Sequence, residues 1–252
     1  MKKTLLMAAL AAAVVGGALG CGGKGTQVKP APAAPAPDTA AAVPDTATTF
    51  TDRRDGKVYR IVQIGRQVWF AENLNYAAEG SKCYGEDGKV EEVWGAYIGD
   101  PPIALSKEEV QSNCAIYGRL YNWETALTAC PAGTHLPSDE EWTTLVDYAG
   151  GGEIADKKLK GRTEDITGDD YGDAGNTYEY GFSALPGGRG DGKGIFFADG
   201  IEGDWWSATE DSVGSAWNRH MWWYIMYGVE RYSASKTYLS SVRCVVDKEA
   251  QK

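Results

Sequence analysis

Four cysteines, Cys83, Cys114, Cys130 and Cys244, constrain this chain more than any other feature, because it begins in the manner of an exported one. Lys2 and Lys3 precede an apolar run from Leu5 to Val15, and small residues follow as far as Gly20. These are the charged, apolar and small-residue sections of a secretion signal. In an oxidising compartment an even cysteine count is a disulfide framework, here two bridges with three possible connectivities. No two of the four have C-x-x-C spacing, which argues against zinc-finger and thioredoxin-type chemistry. The expected fold is one that two staples can close.

The leader ends in Ala18, Leu19, Gly20 and Cys21, which resembles a lipoprotein lipobox with its leucine two places before the cysteine rather than three. The resemblance implies a signal peptide over residues 1–20 and acylation of Cys21 by palmitate-type chains. Several chains on one residue make a stable bilayer anchor where a single chain binds only marginally. Residues 21–48, rich in Pro, Ala and Thr, cannot bury a core and read as an extended, disordered tether. Residues 49–248 then form one domain, held off a bacterial outer membrane or cell surface. Losing Lys2 and Lys3 with the leader takes the formal charge from −10 to −12. So acidic a chain lacks the basic patch that phosphate backbones require, which excludes nucleic acid as the expected partner.

The clearest helix start lies in CPAGTHLPSDEEW, residues 130–142. Ser138 and Glu141 have capping-box spacing, so that hydroxyl and carboxylate each satisfy a backbone N–H. Asp139 and Glu140 add negative charge where the helix dipole favours it. Trp142, Leu145, Val146 and Ala149 recur at i, i+3, i+4 and i+7 and make one buried face; Gly150, Gly151 and Gly152 end the helix. Leu120, Trp123, Leu127 and Cys130 also recur at helical spacing, with Asn122 as a cap, which predicts a helix over about 121–130. Residues 51–76 read as a hairpin with turns at Asp55-Gly56 and Gly65. Gly80–Ser112 is polar and turn-rich, a long loop that a Cys83–Cys114 bridge would staple. Lys157–Asp204 shows no periodic segment and reads as irregular loops. DWWSATE, SAWNRHMWWYIMYG and SSVRCVVD are strand-like, with Val242, Cys244 and Val246 sharing a face of the last. The expected class is α+β.

Six segments in order, DGKVYRIVQIGRQVWFAENLNY, NCAIYGRLYNWETAL, CPAGTHLPSDEEWTTLV, EYGFSALPGG, WWSATE and SVRCV, resemble the Fibrobacter succinogenes major paralogous domain. Thr134 stands where the third motif usually has Trp. That domain is in turn similar to C-type-lectin-like folds, where two helices and a small antiparallel sheet carry long loops. The resemblance implies a single disulfide-stapled domain of that kind. It also implies a bridge from the end of the first helix to the last strand, Cys130–Cys244, leaving Cys83–Cys114.

Alternation in AWNRHMWWYIMYGVERY puts Trp217, Arg219, Met221 and Trp223 on one strand face and Asn218, His220, Trp222 and Tyr224 on the other. With Met221 taken as inward, His220, Trp222 and Tyr224, together with Tyr227, Arg231, Tyr232 and Tyr238, are the expected exposed ligand-binding residues. Aromatic faces beside polar groups suit sugar rings, and equally suit protein interfaces. Trp205 and Trp206 read as packing. Asp165, Asp169, Asp170, Asp173, Asn176 and Glu179 could offer oxygen to calcium, but without EF-hand spacing they read as a solvated loop, and no metal or other cofactor is expected. His135 reads as a structural histidine bonded to backbone. No nucleophile-elbow, zincin or P-loop pattern occurs, and no carboxylate pair is marked out. The expectation is a non-catalytic binding module for an extracellular polysaccharide, as in plant cell-wall adhesion. A surface-protein assembly module is the alternative, and an enzyme acting on polysaccharide comes third.

Overall fold

The chain divides into two units, Met1–Pro44 and Asp45–Lys252. The computed structural model describes residues 49–91, 102–162, 176–223 and 227–251, all within the second. Tyr224 and Asp165, Asp169, Asp170 and Asp173 lie outside the described residues, as do the leader, Cys21 and the proposed tether. No described helix is long and apolar enough to cross a membrane.

Thr49–Thr51 (β1) pairs with Val58–Ile64 (β2) across the Asp55-Gly56 turn, and β2 turns at Gly65 into Gln67–Phe70 (β3), which makes the expected hairpin. Lys89–Glu91 (β4), the helix Lys107–Tyr117 (α1) and Leu120–Tyr121 (β5) follow. Asn122 caps Trp123–Ala129 (α2), its side chain accepting from Thr125 N. Thr134–His135 (β6) leads to Asp139–Tyr148 (α3), where Ser138 and Glu141 form the reciprocal capping box. Gly152–Leu159 (α4) precedes Gly187–Gly190 (β7), Ile195–Asp199 (β8), Glu202–Ser212 (β9), Ser215–Trp222 (β10), Glu230–Ser235 (β11), Ser240–Ser241 (β12) and Val245–Val246 (β13).

These strands make two sheets, one ordered β1-β2-β3-β13-β6 and one ordered β11-β10-β9-β7-β8-β4, with β12 bridging β5 and β9. The expected α+β class, two helices on one small antiparallel sheet with long loops, is overturned. Among the described residues thirteen strands stand against four α-helices, and the architecture is mostly β. Two physical reasons account for the difference. Strands covered on both faces lose the alternation that betrays a half-exposed strand; Glu202 to Ser207 are all buried. Glycines read as loop residues lie inside strands because neighbouring atoms leave no room for a side chain. A Cβ on Gly203 would lie 2.8 Å from the Leu185 carbonyl oxygen, and one on Gly190 would lie 3.1 Å from Leu239. Helix α1 also begins inside the stretch read as loop, Gly80–Ser112, although Ser106 and Glu109 form a capping box there.

Strands β9 and β10 separate two apolar clusters. Tyr59, Phe70, Tyr121, Trp123, Trp206, Val242 and Cys244 lie in one; Trp69, Trp142, Leu145, Phe182, Trp205, Met221 and Trp223 lie in the other. Trp205 and Trp206 are successive residues of a strand, so they point to opposite faces and anchor one cluster each. Cys83 is bonded to Cys114 and Cys130 to Cys244.

Between the clusters sits Arg243, fully buried. Its guanidinium donates to Asn73 Oδ1 at 2.7 and 3.1 Å, to the Phe70 and Ser183 carbonyls at 3.2 Å each, and to the Phe182 carbonyl. Burial draws its pKa down to about 9, which still leaves it charged at neutral pH. Each acceptor left alone in this interior would cost about 1–3 kcal/mol. Arg243→Leu is therefore expected to lower unfolding free energy by roughly 3 kcal/mol or more, read from urea denaturation with both disulfides intact. A loss under about 1 kcal/mol would mean that these acceptors find other donors.

Candidate functional site

Antiparallel register sets the site. Strand β9 places Glu202 opposite Trp222, Asp204 opposite His220 and Trp206 opposite Asn218. Strand β11 places Glu230 opposite His220 and Tyr232 opposite Asn218. Directly paired residues point to the same side of a sheet, so one face of β9–β10–β11 begins apolar at Trp206, Ala216 and Ala234. It becomes charged at Asp204, His220 and Glu202. Arg189 of β7 reaches the same group.

Burial there is severe: Glu202 is 2 % exposed, Asp204 0 % and His220 4 %. His220 Nδ1 lies 3.0 Å from Asp204 Oδ1, and the Tyr232 hydroxyl donates to that same oxygen. His220 Nε2 lies 3.7 Å from Glu202 Oε2. Arg189 Nη1 sits 3.1 Å from Glu202 Oε1, out of hydrogen-bonding alignment, and 3.8 Å from Asp204 Oδ2. Burial, then the Asp204 charge, raise the Glu202 carboxyl to about 7 against the pull of Arg189 and His220. Burial would lower the His220 pKa, but the Asp204 hydrogen bond and the charges of Asp204 and Glu202 outweigh it and raise it. Burial and Asp204 together push the Tyr232 phenol well up.

Trp222 closes this end of the sheet, half-buried, with its ring edge-on to His220 at 4.7 Å. Its Nε1 lies 3.3 Å from Glu230 Oε2, and its carbonyl accepts from Lys160 Nζ at 2.6 Å, so both ring and backbone are held.

The model of the Fibrobacter succinogenes major domain matches residues 62–246, a span that contains every residue of this cluster. The chain belongs to that family. No curated protein and no solved structure matches it, so the lectin-like likeness expected from the sequence gains no support from these comparisons.

In this Fibrobacter major-domain protein the expected ligand face is only partly assembled. His220, Trp222 and Tyr232 come together, but His220 is not exposed as expected, its ring being packed edge-on against those of Trp222 at 4.7 Å and Tyr232 at 5.8 Å. Tyr227 is 58 % exposed, just ahead of β11. Arg231 lies on the opposite face, its guanidinium 3.2 Å over the Trp217 ring and paired with both oxygens of Asp139. Tyr238 sits beyond the other end of the β10–β11 hairpin, its N–H bonded to Ser235 O. Of the acidic loop, Asn176 and Glu179 are described, and Glu179 pairs with Lys158 at 3.1 Å. Arg189, Glu202 and Asp204 were not singled out by the sequence. Glu202-x-Asp204 ahead of Trp205-Trp206 is the signal that could have found the carboxylates, since that spacing in a strand puts both on one face.

A cleft of about 790 Å³ beside the Cys83–Cys114 bridge is lined by Gly85, Glu86, Leu105, Val110 and Arg119 among others. Two of its charges satisfy one another, Arg119 meeting Glu86 at 2.8 Å.

His135 differs from expectation: its partners are carboxylates and not backbone, Asp247 at 2.6 Å and Glu141 at 2.9 Å. The Glu141 hydrogen bond, opposed by burial and aided by Asp247, raises its pKa from 6.5 to about 9. Burial would raise Glu141, but His135 and Ser138 bring it from 4.5 to about 2. The His135 contribution to stability is therefore complete below its unfolded value of 6.5 and is lost as pH rises through about 9. That of Glu141 is complete above 4.5 and lost as pH falls toward about 2. The urea midpoint should fall between about pH 6 and about pH 10, and His135→Gln should start lower and flatten that fall. Parallel profiles for the two proteins would refute the linkage.

Proposed function

We propose that this Fibrobacter major-domain protein is a non-catalytic binding module for an extracellular polysaccharide, displayed at the bacterial surface on a lipid anchor at Cys21. The observation that carries the reading is Trp222, a half-buried indole pinned by Glu230 and by the Lys160 contact to its carbonyl, beside a dense group of polar side chains. A rigid aromatic plane meets the apolar face of a sugar ring at small entropic cost, while carboxylate and guanidinium groups take the hydroxyls. Arg189, one-third exposed, and the exposed Tyr227 extend that chemistry outward.

The same geometry favours binding over hydrolysis. A glycosidase sets its two carboxyl groups roughly 5–9.5 Å apart with the scissile bond between them. Glu202 and Asp204 each offer an oxygen within 4.8 Å of the other and of His220, and both are buried. Their burial closes both to a sugar linkage.

Two measurements test the proposal. Full-length protein should be retained on at least one of insoluble cellulose, xylan or pectin, and Trp222→Ala should cut retention by about tenfold with its melting temperature nearly unchanged. Retention on none of the three, or retention indifferent to Trp222→Ala, sinks the polysaccharide reading. Labelled palmitate fed to producing cells should enter the protein and be abolished by Cys21→Ser; label persisting in that variant removes the anchor.

A further inference from the structure

Glu202 Oε1, Asp204 Oδ2 and His220 Nε2 are three buried atoms of one cluster, and none of them has a hydrogen-bond partner. Buried polar atoms are normally paired, because an unpaired one forfeits its hydration. Here three belong to side chains that are each at least 95 % buried, and one possible ligand atom from each of these residues lies within 4.8 Å of the other two. The imidazole is arranged to match. Its Nδ1 faces Asp204 Oδ1, which accepts from the Tyr232 hydroxyl as well, so the neutral ring keeps its proton on Nδ1 and leaves Nε2, 3.7 Å from Glu202 Oε2, as the nitrogen with the lone pair. A histidine that ligates a metal characteristically gives its other N–H to a carboxylate in this way.

We propose that Glu202, Asp204 and His220 form a site for one divalent metal ion of the zinc class. Two carboxylate oxygens and one imidazole nitrogen are a borderline-hard donor set that suits zinc, with a fourth position left for water or a ligand. Ligand atoms around a four-coordinate zinc ion lie roughly 3.3–3.5 Å apart, and the 3.7 Å from His220 Nε2 to Glu202 Oε2 needs only a small side-chain adjustment to reach that. Arg189 is the competitor. Its guanidinium lies 3.1 Å from Glu202 and 3.8 Å from Asp204, and being one-third exposed it can turn outward when an ion enters. The inference goes beyond the polysaccharide reading and does not rest on it, since a metal can bind here whether or not a sugar does.

The full-length protein, stripped with a chelator, is titrated with zinc chloride by calorimetry and with cobalt chloride by visible absorption. One equivalent should bind per chain, and cobalt should show the d–d absorption of a low-coordinate N/O site. Glu202→Gln should weaken binding by about tenfold or more. Arg189→Gln, by removing a positive charge that repels the ion, should tighten it by about tenfold. The second variant guards the test against simple loss of folding, because no structural defect improves affinity. Absence of stoichiometric zinc and cobalt binding overturns the proposal. So does affinity within about twofold of wild type in both variants, which would place the ion elsewhere on the acidic chain.

Discussion

The hydrogen bonds between Arg243 and Asn73 hold the two halves of this core together. Asn73 uses its whole capacity: Oδ1 accepts from Arg243 and from Trp205 Nε1 at 2.9 Å, while Nδ2 donates to the Tyr117 carbonyl at 2.9 Å and to Ser241 Oγ at 3.3 Å. The end of α1, strands β9 and β12 and the segment around Phe182 thus meet at one pair of side chains. A guanidinium is suited to the role because its five donors spread in a plane. All five are used, three on backbone carbonyls and two on the Asn73 amide oxygen, acceptors that two packed apolar clusters would otherwise strand. The next residue, Cys244, is bonded to Cys130 at the end of α2, so the chain's last strand is fixed by covalent and polar means at adjacent positions.

Once β9 and β10 are locked as a partition, each face carries its own buried charge. On the α3 side Asp139 accepts from Arg219 at 2.9 Å and from Arg231, using both oxygens. Its place in the first turn of α3, where the helix dipole already favours an anion, reinforces that pairing. On the other face two carboxylates meet one imidazole and one partly exposed guanidinium, and oxygen and nitrogen atoms are left over. The contrast separates structural charge from chemical charge within a single sheet. The first set clamps a helix to a strand and leaves one cationic nitrogen over, Arg219 Nη1; the second leaves two carboxylate oxygens and an imidazole nitrogen.

The legible parts of the sequence were those with local causes. Asn122 and Ser138 cap their helices as spacing dictates, Trp142 and Leu145 are the buried face of α3, and the aromatic run does form β10. The pairing of Cys130 with Cys244 followed from the family resemblance and not from spacing. What could not be read depends on contacts distant along the chain. Only Cys114 and Tyr117 of α1 are buried, so that helix carries almost no apolar period. Strand β7 is Gly-Gly-Arg-Gly, and it becomes a strand because β8 and β9 accept it, Gly188 pairing with Gly203. Arg189 is invisible as a site residue for the same reason. The choice of an inward and an outward face for β10 failed at His220 because both faces are covered, a condition that alternation along one strand cannot reveal.

The conspicuous stretch from Cys130 to Trp142 illustrates why sequence prominence and chemistry part company here. Cys130 closes a disulfide, Asp139 receives two arginines, and Glu141 both caps α3 and holds His135 to the last strand through Asp247. Every polar group named in that list is consumed by the fold. Glu202 and Asp204, by contrast, impose a desolvation cost that no helix cap or strand junction requires, and the apolar residues that fill the rest of the same face would have packed there without it. The end of the β9–β10 pair, not the motif that marks the family, is therefore where this protein's chemistry is to be sought.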